Sequence, residues 1–188
     1  RAADVLQMQA IVVDLDAVIS AVRRGELSPR AGRRALRKVA SAPPPFGPAS
    51  IVAAFALASA GAARFFSGNL AEIGLSFVLG LGLGLLAISA SERVGLGRVF
   101  APLAAFLAAL ASLTAEALAP GIRAQVTTMA ALIVLIPGLS LTLAMTELAT
   151  RHLVSGTARL AGSLTVFATM AFGVSIASAS TAARVRAA

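Results

Sequence analysis

The chain has 188 residues, of which 58% are hydrophobic and only 13% are charged. Together with a mean hydropathy of +0.89, this composition excludes an ordinary soluble globular protein and indicates a membrane protein. The chain contains no cysteine, which excludes disulfides and thiolate metal sites. Its net charge of +8 would suggest nucleic-acid binding in a soluble protein, but in a membrane protein the distribution of the charge matters more, and no nucleic-acid partner is expected.

Residues 1–47 form the only soluble portion that the sequence predicts, and they carry eight of the sixteen basic residues. A helical stripe of apolar residues ends at Gly25, and a second short helix begins with Ser28 as its N-cap and Pro29 at the first helical position. We expect a cytoplasmic helical hairpin whose basic face rests on anionic membrane lipid. The stretch "APPPFGP" forms a stiff connector to the membrane.

Five apolar stretches follow, and each is about long enough to cross a bilayer. They are Ala49 to Phe66, Ile73 to Ala90, Val99 to Leu118, Val126 to Leu148 and Leu160 to Ser178. Because these stretches are rich in alanine and glycine, we expect the helices to pack closely. The sequence therefore predicts an all-α, polytopic membrane protein in which residues 48–188 form a five-helix transmembrane domain.

The basic residues predict the orientation of this domain. If the N-terminus is cytoplasmic, the loops with Arg93 and Arg98 and with Arg151 and Arg159 are cytoplasmic too, which places twelve of the sixteen basic residues inside. This asymmetry favours a multi-pass protein of the cell (inner or plasma) membrane with its N-terminus inside and its C-terminus outside.

The fourth stretch contains a helix breaker in "VLIPGLSLTL". Pro137 removes one backbone hydrogen bond and Gly138 frees the backbone to turn. If the helix is broken, Leu139 or Ser140 begins a second half-helix whose free N–H groups face a gap near the bilayer midplane, where they favour a carboxylate. The alternative is a structural proline kink.

Hydroxyl groups and one carboxylate near this break are further candidates. Thr127 and Thr128 enter the same span, either on the substrate path or on a packing surface. Glu147 lies about two and a half turns beyond the break and is a candidate for proton coupling, because a carboxylate in the membrane is costly. The alternative for Glu147 is an interfacial ion pair with Arg151, four residues later.

Three more polar residues are candidates for gating or for structural pairs. Glu116 is within reach of Arg123 across the short "APGIR" loop, which predicts an ion pair. Glu72 opens the second span, where a negative charge stabilises a helix N-terminus. His152, the only histidine, is either a pH-sensitive gate or a solvated residue at the cytoplasmic edge.

Small residues at helical spacing predict helix-packing surfaces in two spans. They are Gly80 and Gly84 in the second span, and Gly162, Thr165, Thr169 and Gly173 in the fifth.

The residues present argue against the common membrane enzymes. The three aspartates, Asp4, Asp14 and Asp16, precede the spans, so an intramembrane aspartyl protease is excluded. A metalloprotease of the H-E-x-x-H type needs two histidines. We therefore expect neither catalysis nor a cofactor nor a bound metal. A non-transporting membrane scaffold stays open as an alternative, although a scaffold has no need of a break at the midplane.

Three segments resemble the threonine/serine exporter family, specifically its N-terminal membrane half. They are "RRGELSPRAGRRALRKVASAPPPFGP", "FFSGNLAEIGLSF" and "TTMAALIVLIPGLSLTLAMTELATRHLVSGTARLAG". The last is the most specific, and in it Pro137, Gly138, Glu147, Gly156 and Arg159 match the family pattern. The resemblance implies a proton-driven secondary exporter of small amino acids, while one branch of the family resembles exporters of small dicarboxylates such as succinate.

The resemblance also implies a partner, because family members have a second membrane half, either fused or separate. A similar five-helix half that follows a C-terminus outside the cell would insert upside down, as in the inverted repeats of many transporters. Two copies of this chain are the alternative assembly. We expect that the chain alone does not transport.

Overall fold

The computed structural model describes residues 47–187 continuously, and from the N-terminal portion it describes Arg24, Ser28 and Ala31. The predicted hairpin therefore lies almost entirely outside the described residues. Among the described residues of this portion, the backbone N–H of Ala31 donates to Ser28 Oγ at 3.3 Å, as expected of an N-cap at Ser28. By its contacts the chain divides into two compact units, residues 1–51 and residues 52–188.

The described part of the chain from residue 48 onward is helical and contains no strand, which confirms the predicted all-α class. The elements are α1 (Pro48–Phe65), α2 (Leu70–Glu92), α3 (Val94–Leu118), α4 (Ala124–Leu132), the 3₁₀-helix η1 (Ile133–Leu135), α5 (Gly138–Ala149) and α6 (Leu153–Ala187).

Four of these helices, α1, α2, α3 and α6, are long and apolar enough to cross a membrane. The segment from α4 through η1 to α5 passes the same test only as a pair, and its two parts are bent by 59° at the break. It supplies a fifth span if the bent pair crosses as one. The chain is thus a membrane protein with four or five spans, in agreement with the composition.

Two helix ends differ from the predicted ones. Between α2 and α3 only Arg93 is extended, with φ −120° and ψ 109°, so Arg98 lies within α3 and not in a loop. The residues around Arg98 include no proline before Pro102, so nothing prevents an early helix start. The last helix begins at Leu153, seven residues before the predicted Leu160.

The core of residues 52–188 is built from small side chains. α3 contacts α2, α4 and α6, and α5 packs against the first part of α6. The fully buried apolar positions of the described helices, α1 included, are mostly alanines, among them Ala56, Ala63, Ala104, Ala105, Ala130, Ala131, Ala144 and Ala177. Small residues let helix backbones approach closely, which is how membrane helices associate when lipid competes for every apolar contact.

The crossing of α1 and α2 confirms the predicted packing role of Gly80 and Gly84. A Cβ atom at Gly80 would lie 2.7 Å from the carbonyl oxygen of Phe55, and one at Gly84 would lie 2.9 Å from the Cα of Val52. Real Cβ atoms do not approach a backbone this closely. Only glycine therefore allows this crossing.

In α6 the predicted packing surface is partly wrong. Gly173 packs so tightly on α3 that an added Cβ would clash with the carbonyl oxygen of Pro102, but Gly162 and Thr165 are exposed. The buried stripe of α6 instead passes through Ser163, Met170, Gly173 and Ala177. Because these positions repeat every three and four residues, they form one face, and Gly162 and Thr165 lie beside it.

Candidate functional site

The fourth span is broken and not merely kinked. It tightens into η1, where the backbone N–H of Ile136 donates to the carbonyl of Ile133 at 3.3 Å. Pro137 then has φ −79° and ψ 54°, and the N–H of Gly138 donates to the carbonyl of Ile136 at 2.8 Å. This is an inverse γ-turn, the tightest common turn. The carbonyl of Ile133, which the proline ring leaves without its usual donor, thus has a new one.

A new helix begins directly after this turn. The carbonyl of Pro137 accepts the first helical hydrogen bond, from the N–H of Leu141 at 3.0 Å. The half-helix α5 therefore starts at Gly138, one residue before the earlier of the two predicted starts. Within the described residues, the N–H groups of Leu139 and Ser140 have no hydrogen-bond acceptor. Ser140 itself is half-buried. Two unpaired donors and the positive end of the helix dipole therefore lie at the break.

The threonines that the sequence grouped with this break lie elsewhere. Thr127 and Thr128 lie at the end of the first turn of α4 and the start of its second, about ten residues and roughly 15 Å of helix from Pro137. Thr127 is fully buried, and its hydroxyl lies 3.3 Å from the carbonyl of Arg123 and 3.2 Å from that of Ala124. Thr128 is half-buried. The structure does not bring these two hydroxyls together with the break.

Glu147 forms its ion pair with a different arginine from the predicted one. Its Oε1 accepts from Arg159 Nε at 3.2 Å and lies 3.1 Å from Arg159 Nη2. The other carboxylate oxygen, Oε2, is buried and has no hydrogen-bond partner among the described residues. The pair joins α5 to α6 through Oε1 alone.

The expected pair of Glu147 with Arg151 fails because Arg151 is not helical. α5 ends in a Schellman motif, in which the N–H of His152 donates to the carbonyl of Glu147 at 2.8 Å and the N–H of Arg151 donates to that of Leu148 at 3.1 Å. Arg151 takes the left-handed position of this motif, with φ 64°, where glycine is usual. Its side chain therefore leaves the helical face on which an i, i+4 pair would form.

His152 follows this helix end and is exposed. Its Nδ1 lies 3.0 Å from Thr150 Oγ1. The exposed position agrees with a solvated residue at a helix–helix loop, which was one of the two interpretations of this histidine.

At the other end of the helices, the loops α1–α2 and α3–α4 meet around a buried carboxylate. Glu72 is fully buried at the third position of α2, in a capping box with Asn69, as expected for an acidic residue at a helix N-terminus. Its Oε1 and Oε2 accept from Arg123 Nε and Nη2, each at 2.9 Å. Its Oε1 also accepts from the backbone N–H of Arg123 at 2.8 Å, so one carboxylate binds the starts of α2 and α4.

Further hydrogen bonds hold the two loops together. The side-chain amide of Asn69 donates to the carbonyl of Gly121 at 2.7 Å, and Arg123 Nη2 donates to that of Ser67 at 3.0 Å. Ser67 and Gly121 both have positive φ, 57° and 96°. We call Ser67, Asn69, Glu72, Gly121 and Arg123 the cap cluster. The hydrogen bond and charge of Glu72 raise the pKa of the Arg123 guanidinium above its ordinary value.

The expected ion pair between Glu116 and Arg123 is wrong. Glu116 Oε1 accepts from the backbone N–H of Ala124 at 3.2 Å, while the guanidinium of Arg123 is held by Glu72. The reason is the bidentate geometry, because Glu72 offers both oxygens to the fork of the guanidinium and is shielded from water. Glu116 instead stabilises the N-terminus of α4.

Sequence reasoning missed Arg123 and Asn69 as partners of Glu72. Asn69 carried a readable signal, since N-x-x-E before an apolar run is a capping box. Arg123 carried none, because it lies 51 residues from Glu72 and the two meet only through tertiary structure. No group of acidic or histidine side chains within the described residues is arranged to hold a metal ion.

Comparison with known proteins bears on the identity of the chain. Residues 9–180 match the model of the ThrE family, described as "Putative threonine/serine exporter". No curated protein sequence and no solved structure matches the chain. The family match covers the broken span, the Glu147–Arg159 pair and the cap cluster completely. The chain therefore belongs to the ThrE family of threonine/serine exporters, a family of membrane transporters.

Proposed function

We propose that the chain is one membrane half of a proton-driven secondary transporter that exports threonine, serine and similar small amino acids. Family membership supports the substrate class. The observation that carries the proposal is the broken fourth span, because a half-helix with unpaired N–H groups is the arrangement with which many transporters bind a substrate carboxylate. A membrane scaffold would have no use for this arrangement.

The carboxylate of the amino acid binds at the break in this proposal. The N–H groups of Leu139 and Ser140 are the donors, and the hydroxyl of Ser140 lies on the same first turn of α5. The proline at 137 keeps these donors free, since an ordinary helix would pair them with carbonyls of the preceding turn. Small dicarboxylates carry the same recognised group, and they are the second substrate class to test.

Proton coupling is assigned to Glu147. Oε1 is paired with Arg159, while Oε2 is buried without a partner. A proton can therefore bind to Oε2 without first breaking both contacts to the arginine. Protonation would weaken the Glu147–Arg159 pair that joins α5 to α6, and so couple the charge of one group to the relative position of two helices.

The complete transporter in this proposal contains a second membrane half, either covalently attached or separate. With five spans the chain has its ends on opposite sides of the membrane, so a following half of similar structure would be inverted. Purified chain alone is expected to show no flux. Robust threonine flux from the purified chain in proteoliposomes would contradict this part of the proposal.

Counterflow of labelled threonine, measured in proteoliposomes that contain the chain together with its complementary half, tests the binding role of the break. Pro137→Ala restores a backbone N–H that can pair with Ile133, so we expect a folded protein with most of its counterflow lost. Gly138→Ala is the matched control for folding, since a Cβ there meets no atom within 4 Å. Full counterflow in the double alanine variant Pro137→Ala, Gly138→Ala would show that the break does not bind the substrate, and absence of all counterflow in the wild type would favour the scaffold. Succinate counterflow without threonine counterflow would move the chain to the dicarboxylate branch.

The same assay tests Glu147. In Glu147→Gln the coupling group is absent, so we expect threonine counterflow to persist while accumulation driven by a proton gradient is lost. Glu147→Asp, which keeps the titratable group, is the matched control and should retain part of the accumulation. If Glu147→Gln still accumulates threonine at the rate of the wild type, the proton binds elsewhere.

A further inference from the structure

We propose a second binding position for the exported amino acid, a layer of hydroxyl groups one helical turn from the cap cluster toward the interior of the bundle. The proposal rests on the proposed function, because it takes a small zwitterion as the ligand. The layer consists of Ser59, Ser76, Ser112 and Thr127, one residue from each of α1 to α4. All four residues are fully buried, with 0% exposed surface.

The depth of three of these residues in the bundle follows from their distance along the helix from the cap cluster or from a residue next to it. Ser76 lies four residues after Glu72 on α2, and Thr127 lies four residues after Arg123 at the start of α4. Glu72 and Arg123 are in direct contact. Since α2 and α4 both run from the cap cluster into the bundle, Ser76 and Thr127 lie one turn, about 6 Å, below it.

Ser112 reaches the same level from the opposite direction. It lies four residues before Glu116 on α3, and Glu116 is hydrogen-bonded to the first residue of α4. A residue one turn earlier on α3 is therefore also one turn below the cap cluster.

Ser59 completes the layer from α1. It lies four residues before Ala63, whose carbonyl accepts from the N–H of Gly68 at 2.8 Å beside the cap cluster. Its hydroxyl oxygen also faces α2, because a Cβ at Gly80 would lie 2.8 Å from it. Gly80 is one turn beyond Ser76 on the same face of α2, so Ser59 and Ser76 are neighbours across this crossing.

The hydroxyl groups of this layer are energetically unusual. Those of Ser59, Ser76 and Ser112 are buried without a hydrogen-bond partner among the described residues. Serines elsewhere in the helices, such as Ser89 and Ser163, donate to a carbonyl one turn earlier. An unpaired buried hydroxyl destabilises a fold, and alanine would fill the same space without this cost. Three such groups at one level therefore point to a ligand that pairs them in another state of the protein.

The chemistry of the layer fits a small zwitterion. Hydroxyl oxygens accept from an ammonium group and hydroxyl hydrogens donate to a carboxylate. One turn away, Glu72 and Arg123 present the complementary pair, a carboxylate for the ammonium and a guanidinium for the carboxylate. An amino acid in the layer can thus exchange partners with the Glu72–Arg123 pair, which closes this end of the bundle in the present structure.

Single cysteines test the proposal directly, since the chain has none of its own. Ser59→Cys, Ser76→Cys and Ser112→Cys are introduced into the protein in its own cells, so that any partner half is present. Membrane vesicles are then treated with a small water-soluble thiol reagent, with and without threonine. We expect labelling at all three positions and protection by threonine. At threonine about tenfold above its Kd, occupancy alone slows labelling roughly tenfold.

Ser175→Cys is the matched control, because Ser175 is an exposed serine of α6 that is already bonded to the carbonyl of Ala171. Because Ser175 lies outside the layer, any labelling of a thiol there should be unaffected by threonine. Labelling of the three cysteines without protection by any solute would show that the layer is a water-filled space that binds no ligand, and would overturn the proposal. No labelling at the three positions, with or without solute, would overturn it as well.

A second measurement separates this proposal from simple packing. The triple variant Ser59→Ala, Ser76→Ala, Ser112→Ala should melt at the temperature of the wild type or above it, yet half-saturate with threonine at a concentration roughly tenfold higher. Unchanged half-saturation would mean that the serines are packing residues only. Protection of the cysteines by succinate and not by threonine would leave the layer as the site and refute the amino-acid substrate.

Discussion

Four hydrogen bonds converge on the carboxylate of Glu72. It accepts hydrogen bonds from the backbone of both Asn69 and Arg123 and from the side chain of Arg123. The burial of the two partners differs, since the side chain of Glu72 is 0% exposed and that of Arg123 is 55% exposed. The carboxylate is therefore the buried member of the pair, and the partly exposed arginine covers it from the α3–α4 loop.

Asn69 provides the residue-level prediction for this cluster. Its side chain caps α2 and also donates to Gly121 in the other loop. We expect Asn69→Ala to lower the free energy of unfolding by about 1–2 kcal/mol, because it removes the cap and the cross-loop hydrogen bond. Asn69→Ser keeps a capping oxygen and should lose less. Thermal unfolding in detergent measures both, and equal melting temperatures for the two variants would mean that the capping oxygen contributes nothing.

At the scale of the helices, glycine and alanine set the distances between axes. The crossing of α1 and α2 depends on Gly80, where an added Cβ would lie 2.8 Å from the Cα of Ala56. On the same helix, Gly82 has no atom within 4 Å of such a Cβ. The two glycines look alike in the sequence but differ completely in their surroundings.

This difference yields a prediction for α2. Gly80→Ala forces α1 and α2 apart, and we expect a loss of about 1–3 kcal/mol in the free energy of unfolding. Gly82→Ala should leave stability unchanged or raise it slightly, since alanine is the better helix former. The melting temperatures of the two purified variants test this prediction, and that of Gly80→Ala should be the lower. Equal destabilisation by both substitutions would contradict the close crossing.

At the scale of the whole molecule, the open question is the path of the broken span. If α4, η1 and α5 cross the membrane together, the cap cluster and the α5–α6 loop lie on opposite sides. If they enter and leave by one side, the two lie on the same side. The direction of α5 favours a crossing, because a bend of 59° still carries the chain forward along the original axis.

Thiol labelling of intact cells distinguishes these topologies. Leu118, at the end of α3, and Val154, at the start of α6, are 84% and 86% exposed. With the N-terminus inside and a crossing fourth span, we expect Leu118→Cys to react with an impermeant reagent in intact cells. Val154→Cys should react only after permeabilisation. Reaction of both variants in intact cells would show a re-entrant fourth segment.

Hydropathy predicted the helices well, because the bilayer imposes length and apolarity on each span locally. The break at Pro137 was predictable for the same reason, since a proline acts on its own backbone. The partners of the charged residues were not. Glu72, Glu116 and Glu147 each had an arginine nearby in the sequence or across a short loop, yet only tertiary packing decides which arginine reaches which carboxylate. The left-handed Arg151 likewise follows from how α5 meets α6.

The length of α6 links the protein to the thickness of its membrane. Its 35 residues span about 52 Å, whereas the hydrocarbon core of a bilayer is about 30 Å thick. This helix must therefore tilt or extend into the headgroups, and by how much depends on the lipid. Since α6 packs on α5 at Gly156 and on α3 at Gly173, a change in its tilt moves the two contacts against each other. We therefore expect the angle between α3 and α5 to change with the lipid composition of the membrane.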